Sequence, residues 1–268
     1  MTEEIVAPVQ TEETVRAEMP EIIDSTPTES AGKKEKFYGI ELLRILATFY
    51  IILLHIIGQG GVSAAVGTGR AATIGCSLLL ALAYPAVNCY ALISGFVGCK
   101  SRFKLSRLVS LWVSVVTVNL AVWSAFKLFA PALAANFSLS ACFKPLLNNE
   151  YWYVTAYFGL SVLTPALNAA VLNLQKKDYT RMLFGLFALF VVLPVVADKD
   201  LFWSHTGYSM LWLMLLYLAG AYFRLHVQPA KPGRLAGMLS LGVYVAISVF
   251  LALQKQFIEK QLLAENSP

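Results

Sequence analysis

The sequence predicts an all-α integral membrane protein, a polytopic helix bundle with about seven transmembrane helices. Three observations support this fold class. Of the 268 residues, 57% are hydrophobic and 14% are charged, whereas soluble domains carry about 25% charged residues. Seven apolar segments approach the roughly 20 residues that a membrane-spanning helix needs. Basic residues cluster in alternate connections between these segments.

The seven apolar segments are separated by short polar connections. The fifth segment is short, and the second contains Pro85 and is long enough to be kinked or tilted. The segments cover residues 38–57, 73–97, 108–129, 152–173, 182–197, 208–225 and 235–253.

The basic residues of the connections predict the orientation. Lysine and arginine cluster in "GKKEK" before the first segment, "GCKSRFKLSR" after the second, "LQKKDYTR" after the fourth and "RLHVQPAKPGR" after the sixth. Cytoplasmic connections carry an excess of these residues, so the N-terminus is predicted to be cytoplasmic. The same rule explains the net charge of +5 without a nucleic-acid partner.

Three regions follow from the change in composition along the chain. Residues 1–36 are rich in Glu, Thr and Pro and lack an apolar run, which predicts a disordered acidic cytoplasmic leader rather than a signal peptide. Residues 37–253 form the predicted transmembrane domain, and residues 254–268 form a polar C-terminal tail.

The four cysteines, Cys76, Cys89, Cys99 and Cys142, contain no C-x-x-C pair. Three of them lie in or beside apolar segments. Free cysteine behaves as a small buried hydrophobe, so we expect inert thiols rather than disulfides, and no metal site is predicted.

A polar stripe runs along the first segment, "GIELLRILATFYIILLH". A helix turns by about 100° and rises by 1.5 Å per residue, so Arg44 and His55 share a face about 16 Å apart. Glu41, Thr48 and Gln59 fall on the same face. This stripe is expected to face the bundle interior or a water-filled cavity.

Ionisable side chains at membrane depth mark functional sites by default. Taken singly, Arg44 near the cytoplasmic end could reach the interface, and His55 could be a satisfied core histidine. Arginine binds phosphate or carboxylate groups, and histidine suits proton transfer because it titrates near neutral pH. As a set, the stripe predicts a site for an anionic ligand whose reactive end points into the membrane.

The Arg-x10-His pattern behind Glu41 resembles the membrane-bound acyltransferase 3 family. Two further segments match that family in order: "ALISGFVG", residues 91–98, and "NNEYWYVTAYFGLSVLTPALN", residues 148–168. Together the three matches cover most of residues 37–170. Members usually have around ten spans, so about three C-terminal helices are expected to be missing from this chain.

The resemblance implies transfer of an acyl group, usually acetyl, from cytoplasmic acyl-CoA to a carbohydrate hydroxyl at the plasma membrane. The acceptor is a cell-surface or lipid-linked carbohydrate, and acyl-CoA is a co-substrate rather than a permanently bound cofactor. By position, His55 would be the catalytic histidine and Arg44 its partner, with Glu41 holding Arg44 at i, i+3. The implied donor-binding residues are Arg44, the Ser94-Gly95-Phe96 turn, Arg102 and Arg107.

Aromatic residues open the fourth segment. Trp152, Tyr153 and Tyr157 could pack against sugar rings of the acceptor, or they could form an interfacial aromatic belt. Asp198, Asp200 and His205 lie in a short external loop that could help an acceptor bind.

Two other functions are compatible with the sequence. The polar stripe could line the pathway of a polysaccharide-intermediate transporter, although transporters often show internal repeats and broken helices. Alternatively, the short C-terminus could mark a truncated, non-catalytic remnant of the family. Acyl-CoA binding separates the enzyme from the transporter.

Overall fold

A computed structural model describes residues 37–65, 70–134, 138–147, 151–204, 207–227 and 233–265. The predicted leader, residues 1–36, lies outside this described part. All regular elements of the described part are helices, which confirms the all-α prediction.

The described residues form twelve α-helices, numbered in chain order, and two π-helical turns follow α1 and α9. The α-helices are α1 Tyr38–Leu54, α2 Val62–Ala65, α3 Arg70–Ala83, α4 Ala86–Gly98, α5 Leu105–Phe129, α6 Pro131–Ala134, α7 Leu139–Cys142, α8 Trp152–Leu172, α9 Lys176–Phe187, α10 Leu193–Ala197, α11 Met210–His226 and α12 Arg234–Glu265. The π-helical turns are His55–Gln59 and Ala188–Val192.

Six of the seven predicted segments are long and apolar enough to cross a membrane, which confirms a multi-pass membrane bundle. They are Tyr38–Gln59, Ala71–Gly98, Leu105–Phe129, Trp152–Leu172, Lys176–Ala197 and Arg234–Lys255. The sixth predicted segment, α11, has only 17 residues. At 1.5 Å per residue it is about 25 Å long, slightly less than the roughly 30 Å hydrocarbon core.

Two helix ends differ from the sequence prediction. The fifth spanning helix starts at Lys176 rather than at residue 182, because the charged first turn is helical as well. The last helix, α12, continues to Glu265, so most of the residues assigned to the polar tail are helical.

Proline breaks the second spanning segment, as the sequence predicted. Helices α3 and α4 meet at Tyr84–Pro85. Proline has no backbone N–H and its ring clashes with the preceding turn, so the two helices cannot continue as one regular helix. After the break, α4, which carries Ser94, packs against α1 and α11.

Helix α11 is the most buried helix of the bundle and packs along α4. A Cβ atom at Gly95 would lie 1.9 Å from the Tyr217 carbonyl oxygen, and a Cβ atom at Gly220 would lie 2.0 Å from the Leu92 carbonyl oxygen. Only glycine at both positions permits this contact between the two helix backbones. Helices α8 and α9 pack on the other sides of α11.

Three of the predicted basic connections start from helix ends that meet at one end of the bundle, called the basic end below. There, Cys99 after α4, Val171 of α8, Tyr179 of α9 and Ala221 of α11 form a single buried cluster. Helix α1 packs against α3 and α4, α12 packs against α3, and α5 packs against the short helices α6 and α7. These contacts place the cleft described next between α5 and the rest of the bundle.

Candidate active site

An ion pair fixes the first part of the polar stripe. Arg44 Nη1 lies 2.7 Å from Glu41 Oε1, at the i, i+3 spacing of one helix face. The Arg44 side chain is 36% exposed and the Glu41 side chain 61%. The pair therefore orients the guanidinium near the basic end while leaving it accessible to a ligand.

A tyrosine of α4 fastens this region to the centre of the bundle. The Tyr90 hydroxyl lies 3.1 Å from the Arg44 carbonyl oxygen and also contacts Thr48 Oγ1. Thr48 Oγ1 in turn lies 2.9 Å from the Arg44 carbonyl oxygen. Tyr90 was not among the sequence-predicted site residues. Its position one helical turn before Ser94 was the available signal.

The histidine of the stripe lies at the start of a π-helical turn. His55 Nδ1 lies 2.8 Å from Gln59 Oε1, and the Gly60 N–H donates to the His55 carbonyl oxygen at 2.8 Å. A carboxamide oxygen only accepts hydrogen bonds. The contact favours the tautomer with the proton on Nδ1, which leaves the Nε2 lone pair for a substrate.

A cleft opens towards the basic end, between α5, the last turns of α4 and the middle of α8. Its volume is about 200 Å³. Among the described residues that line it, the charged ones are all basic: Arg102, Lys104 and Arg107. Arg107 Nη1 donates to Ser101 Oγ at 3.4 Å. The mouth of this basic cleft therefore attracts anions.

Hydroxyl groups line the inner part of the basic cleft. They belong to Ser94, Tyr157, Ser161, Thr164 and Tyr217. Ser94 Oγ donates to the Tyr90 carbonyl oxygen at 2.8 Å and lies 3.5 Å from the Tyr157 hydroxyl. Tyr90 therefore contacts the Ser94 side chain through its backbone carbonyl and α1 through its hydroxyl, so a single residue of α4 lies between the cleft and the polar stripe.

A buried asparagine fixes the floor of the basic cleft. The Tyr217 hydroxyl donates to Asn168 Oδ1 at 2.8 Å, and Asn168 Nδ2 donates to the Gly98 carbonyl oxygen at 3.0 Å. This residue was also not predicted from the sequence, although it ends the "TPALN" segment. It connects three helices, α4, α8 and α11.

The sequence-predicted donor residues divide into two groups. Ser94, Arg102 and Arg107 line the basic cleft together. Arg44, Gly95 and Phe96 are not among the described lining residues. The Ser94-Gly95-Phe96 segment forms the last turns of α4 rather than a separate turn.

Gly95 and Phe96 have structural contacts of their own. Gly95 lies against the backbone of Tyr217. The Arg224 guanidinium carbon lies 5.4 Å from the centre of the Phe96 ring, a cation–π contact. Both residues therefore pack α4 against α11.

The aromatic residues at the start of α8 pack mainly with each other. The ring of Trp152 lies 5.6 Å from that of Tyr153 and 4.8 Å from that of Tyr208, between centroids. Tyr153 stacks on Tyr157 at 5.9 Å. Of the three predicted acceptor residues, only Tyr157 lines the basic cleft. His205 lies outside the described residues.

All four cysteines are free thiols. Cys99, directly after α4, is fully buried. Burial raises the pKa of the Cys99 thiol, although nearby Lys100 and Arg224 act in the opposite direction. Its position in the core cluster of the basic end supports a packing role.

Comparison with known families identifies the chain. The family model Acyl_transf_3, described as an acyltransferase domain, matches residues 37–257. Neither a curated protein nor a solved structure matches the chain. The family match covers most of the chain and includes the polar stripe of α1 and the basic cleft. The chain therefore belongs to the acyltransferase 3 family and is a multi-pass membrane protein with an acyltransferase domain.

Proposed function

We propose that the protein transfers an acyl group, acetyl in the first instance, from cytoplasmic acyl-CoA to a hydroxyl of a cell-surface or lipid-linked carbohydrate. The basic end then faces the cytoplasm and the bundle lies in the plasma membrane. The observation that carries this proposal is the basic cleft, which is joined through Tyr90 to the helix that bears Arg44 and His55.

The basic cleft suits the donor because coenzyme A carries phosphate groups. Arg102, Lys104 and Arg107 surround its mouth, and arginine forks match phosphate geometry. The cleft volume of about 200 Å³ is below the 300–1,000 Å³ typical of whole small-molecule sites. It therefore suits the narrow pantetheine arm, with the phosphates held at the basic mouth.

The polar stripe would guide the arm towards the reacting atoms. Arg44 lies beside Tyr90, and His55 lies eleven residues further along α1, about 16 Å along the helix axis. An extended arm that passes Tyr90 and Thr48 brings its thioester towards the imidazole. In this arrangement Glu41 positions Arg44 through their ion pair.

The His55–Gln59 hydrogen bond suits general base catalysis. Nε2 removes the proton of the sugar hydroxyl as its oxygen attacks the thioester carbonyl carbon. The new C–O bond forms, the C–S bond breaks, and the departing CoA thiolate takes the proton from the imidazolium.

The same histidine also supports a covalent route. Nε2 attacks the thioester carbonyl and the C–S bond breaks, which leaves an acyl-histidine. The sugar oxygen then attacks the acyl carbon, the C–N bond to the imidazole breaks, and the hydroxyl proton passes to the CoA thiolate. Both routes use the lone pair that the Gln59 contact leaves available.

Acyl transfer in membranes tests the proposal. Membranes containing the parent chain, His55→Ala or Ile56→Ala would receive acetyl-CoA labelled in the acetyl group, and label would be measured in lipid-linked and surface glycans. Ile56 is the matched control because its exposed side chain lies on the next position of the same turn. We expect transfer by the parent and by Ile56→Ala, and none by His55→Ala.

Two results would contradict the proposal. Transfer that survives His55→Ala would remove the histidine from the reaction. No transfer by correctly inserted parent chain, with native acceptor present, would reject acetyl-CoA as the donor or favour the transporter or remnant. Label retained on the denatured protein, and lost in His55→Ala, would select the acyl-histidine route.

A further inference from the structure

We propose that the surface between α9 and α11 binds a membrane glycolipid, whose apolar chain lies in a groove and whose hydroxyl-bearing head lies in an adjoining polar cleft. The site is separate from the basic cleft and from His55. Only the identification of this lipid with the carbohydrate acceptor rests on the proposed function.

The groove lies on the membrane-facing side of the bundle. It has a volume of about 500 Å³, and apolar side chains dominate its lining: Leu183, Phe184, Phe187, Leu215, Leu216 and Phe223. Its outer wall belongs to Lys176–Ala197, whose most apolar stretch is not buried by other parts of the bundle. In a bilayer, hydrocarbon chains therefore have direct access to the groove.

A polar cleft adjoins the end of the groove that is remote from the basic end. This second cavity also measures about 500 Å³, and among its described lining residues the charged ones are Asp198, Lys199 and Asp200 at its rim. The rest of its described lining is mainly apolar. Asp200 Oδ1 accepts from the Ser204 backbone N–H at 2.7 Å and from its hydroxyl at 3.0 Å, which fixes the rim. Trp212 lines both cavities, so the polar cleft and the apolar groove adjoin each other at its ring.

The length of the groove matches a chain held inside the bilayer. From Trp212 to Phe223, α11 advances eleven residues, or about 16 Å. This is roughly half of the 30 Å hydrocarbon core. A chain in the groove thus remains at hydrocarbon depth while its head reaches the polar cleft at the membrane surface.

The lining of the polar cleft favours an uncharged, hydroxylated head group. The two carboxylates of Asp198 and Asp200 outnumber the single ammonium of Lys199 among the described lining residues, which disfavours a phosphate group. Carboxylates accept hydrogen bonds from sugar hydroxyls, and an ammonium donates hydrogen bonds to them. The Trp212 indole Nε1 donates to Asn88 Oδ1 at 3.0 Å, which fixes the ring plane at the join. An aromatic face of this kind can pack against the C–H groups of a sugar ring.

Photo-crosslinking in nanodiscs tests the site without an acyl-transfer assay. Three probes would carry the same diazirine-bearing alkyl chain, with a glucosyl, phosphocholine or phosphoglycerol head. Ala219→Trp places a large ring in the groove, since Ala219 is one of its lining residues. Ala246→Trp is the matched control on the exposed face of α12. Asp198→Asn/Lys199→Gln removes both charges from the polar cleft, and asparagine tolerates the left-handed backbone of position 198.

The glucosyl probe should label peptides of α9 and α11. We expect Ala219→Trp to lower this labelling by about tenfold, the factor for 1.4 kcal/mol of binding, and Ala246→Trp to leave it unchanged. Asp198→Asn/Lys199→Gln should reduce glucosyl labelling to the level of the phospholipid probes. If the glucosyl probe labels the groove but the parent chain transfers no acyl group, the lipid site stands and the proposed function is rejected.

Two outcomes would overturn the inference. Equal labelling by all three probes would show that ordinary bilayer lipid fills the groove, whether zwitterionic or anionic. The second outcome is that no probe labels the protein, that the parent chain is a dimer in detergent and that Ala219→Trp dissociates this dimer. That result would show that a second copy of the chain covers the groove.

Discussion

Asn168 joins the Tyr217 hydroxyl, 2.8 Å from its Oδ1, to the Gly98 carbonyl oxygen, 3.0 Å from its Nδ2. One carboxamide thus uses both its acceptor and its donor to connect three helices. Because Tyr217 lines the basic cleft, the same contacts set the position of its floor.

Removal of this carboxamide should destabilise the bundle. Asn168→Ala leaves the buried Tyr217 hydroxyl and the Gly98 carbonyl oxygen without this partner. Side-chain hydrogen bonds between membrane helices contribute about 0.6 kcal/mol on average and up to about 1.7 kcal/mol, so we expect a loss of about 1–3 kcal/mol. Thermal unfolding in detergent measures it.

Asn173→Ala is the matched control for Asn168→Ala. Asn173 lies at the same end of α8, is exposed, and donates only to the Ala169 carbonyl oxygen of its own helix, at 2.8 Å. Equal Tm values for the two variants would show that the Asn168 contacts contribute no more than a surface hydrogen bond.

The polar stripe was predictable because it depends on the period of a single helix. Glu41, Arg44, Thr48, His55 and Gln59 share a face through their spacing alone, and the expected Glu41–Arg44 pair forms. The expectation that this stripe faces the bundle interior is wrong for Glu41, Thr48, His55 and Gln59, because all four are exposed. Composition and length likewise predicted a multi-pass helical bundle.

Tyr90 and Asn168 were not predictable in the same way. Each acts through a contact between different helices, whose relative register is set by packing across the bundle. Gly95 illustrates this point: the family resemblance implied that it binds the donor, whereas the structure shows it in close contact with the α11 backbone. The separate placement of Arg44 and the basic cleft also follows from this packing.

The α4–α11 contact should not tolerate a side chain at Gly220. A Cβ atom there would lie 2.0 Å from the Leu92 carbonyl oxygen, so Gly220→Ala must separate the helices. Overpacking typically costs about 1–3 kcal/mol. We expect a lower Tm and less folded protein in membranes.

Gly242→Ala is the control, since nothing lies within 4 Å of its Cβ position. If both variants had the Tm of the parent chain, the close packing of α4 and α11 would not matter for stability.

The basic cleft should control the KM for acyl-CoA. Arg102→Ala and Arg107→Ala each remove a charge from its mouth, and we expect KM to rise by about tenfold, as for loss of a charge-assisted hydrogen bond. The difference from the parent should shrink at high salt because ions screen exposed charges. Arg181→Ala is the control at the same end, where Arg181 pairs with Asp178 at 3.4 Å. An equal rise in KM for Arg181→Ala would indicate a general effect of charge.

Gln59 should act as a positioning residue for His55. Gln59→Leu removes the hydrogen-bond acceptor of His55 Nδ1, so the orientation of the ring and its tautomer are no longer fixed. We expect kcat to fall by about tenfold or more and KM for acyl-CoA to stay near the parent value. Gln59→Glu keeps an acceptor oxygen and should restore part of kcat. Equal loss in both variants would mean that Gln59 supports the π-helical turn rather than the imidazole.

Cys99 should react slowly with thiol reagents in the folded protein. Its pKa is raised by burial, and only the thiolate is nucleophilic. In the unfolded chain the Cys99 thiol has an ordinary pKa of about 8.5 and loses its proton as the pH rises past that value. In the folded chain the same thiol keeps its proton at that pH. Its contribution to folding stability is therefore present below that pH and is lost as the pH rises towards the folded pKa.

Maleimide labelling of a chain with Cys99 as its sole cysteine measures this difference. Cys76, Cys89 and Cys142 would be replaced by alanine, and the rate followed from pH 6 upwards in mild detergent and, as the control, in denaturing detergent. We expect the folded chain to label more slowly at every pH, with its rise displaced to higher pH. Asn168→Ala should narrow the gap, because the Gly98 carbonyl oxygen beside Cys99 loses its partner. Superimposable profiles for folded and unfolded chains would show that the end of α4 is open to water.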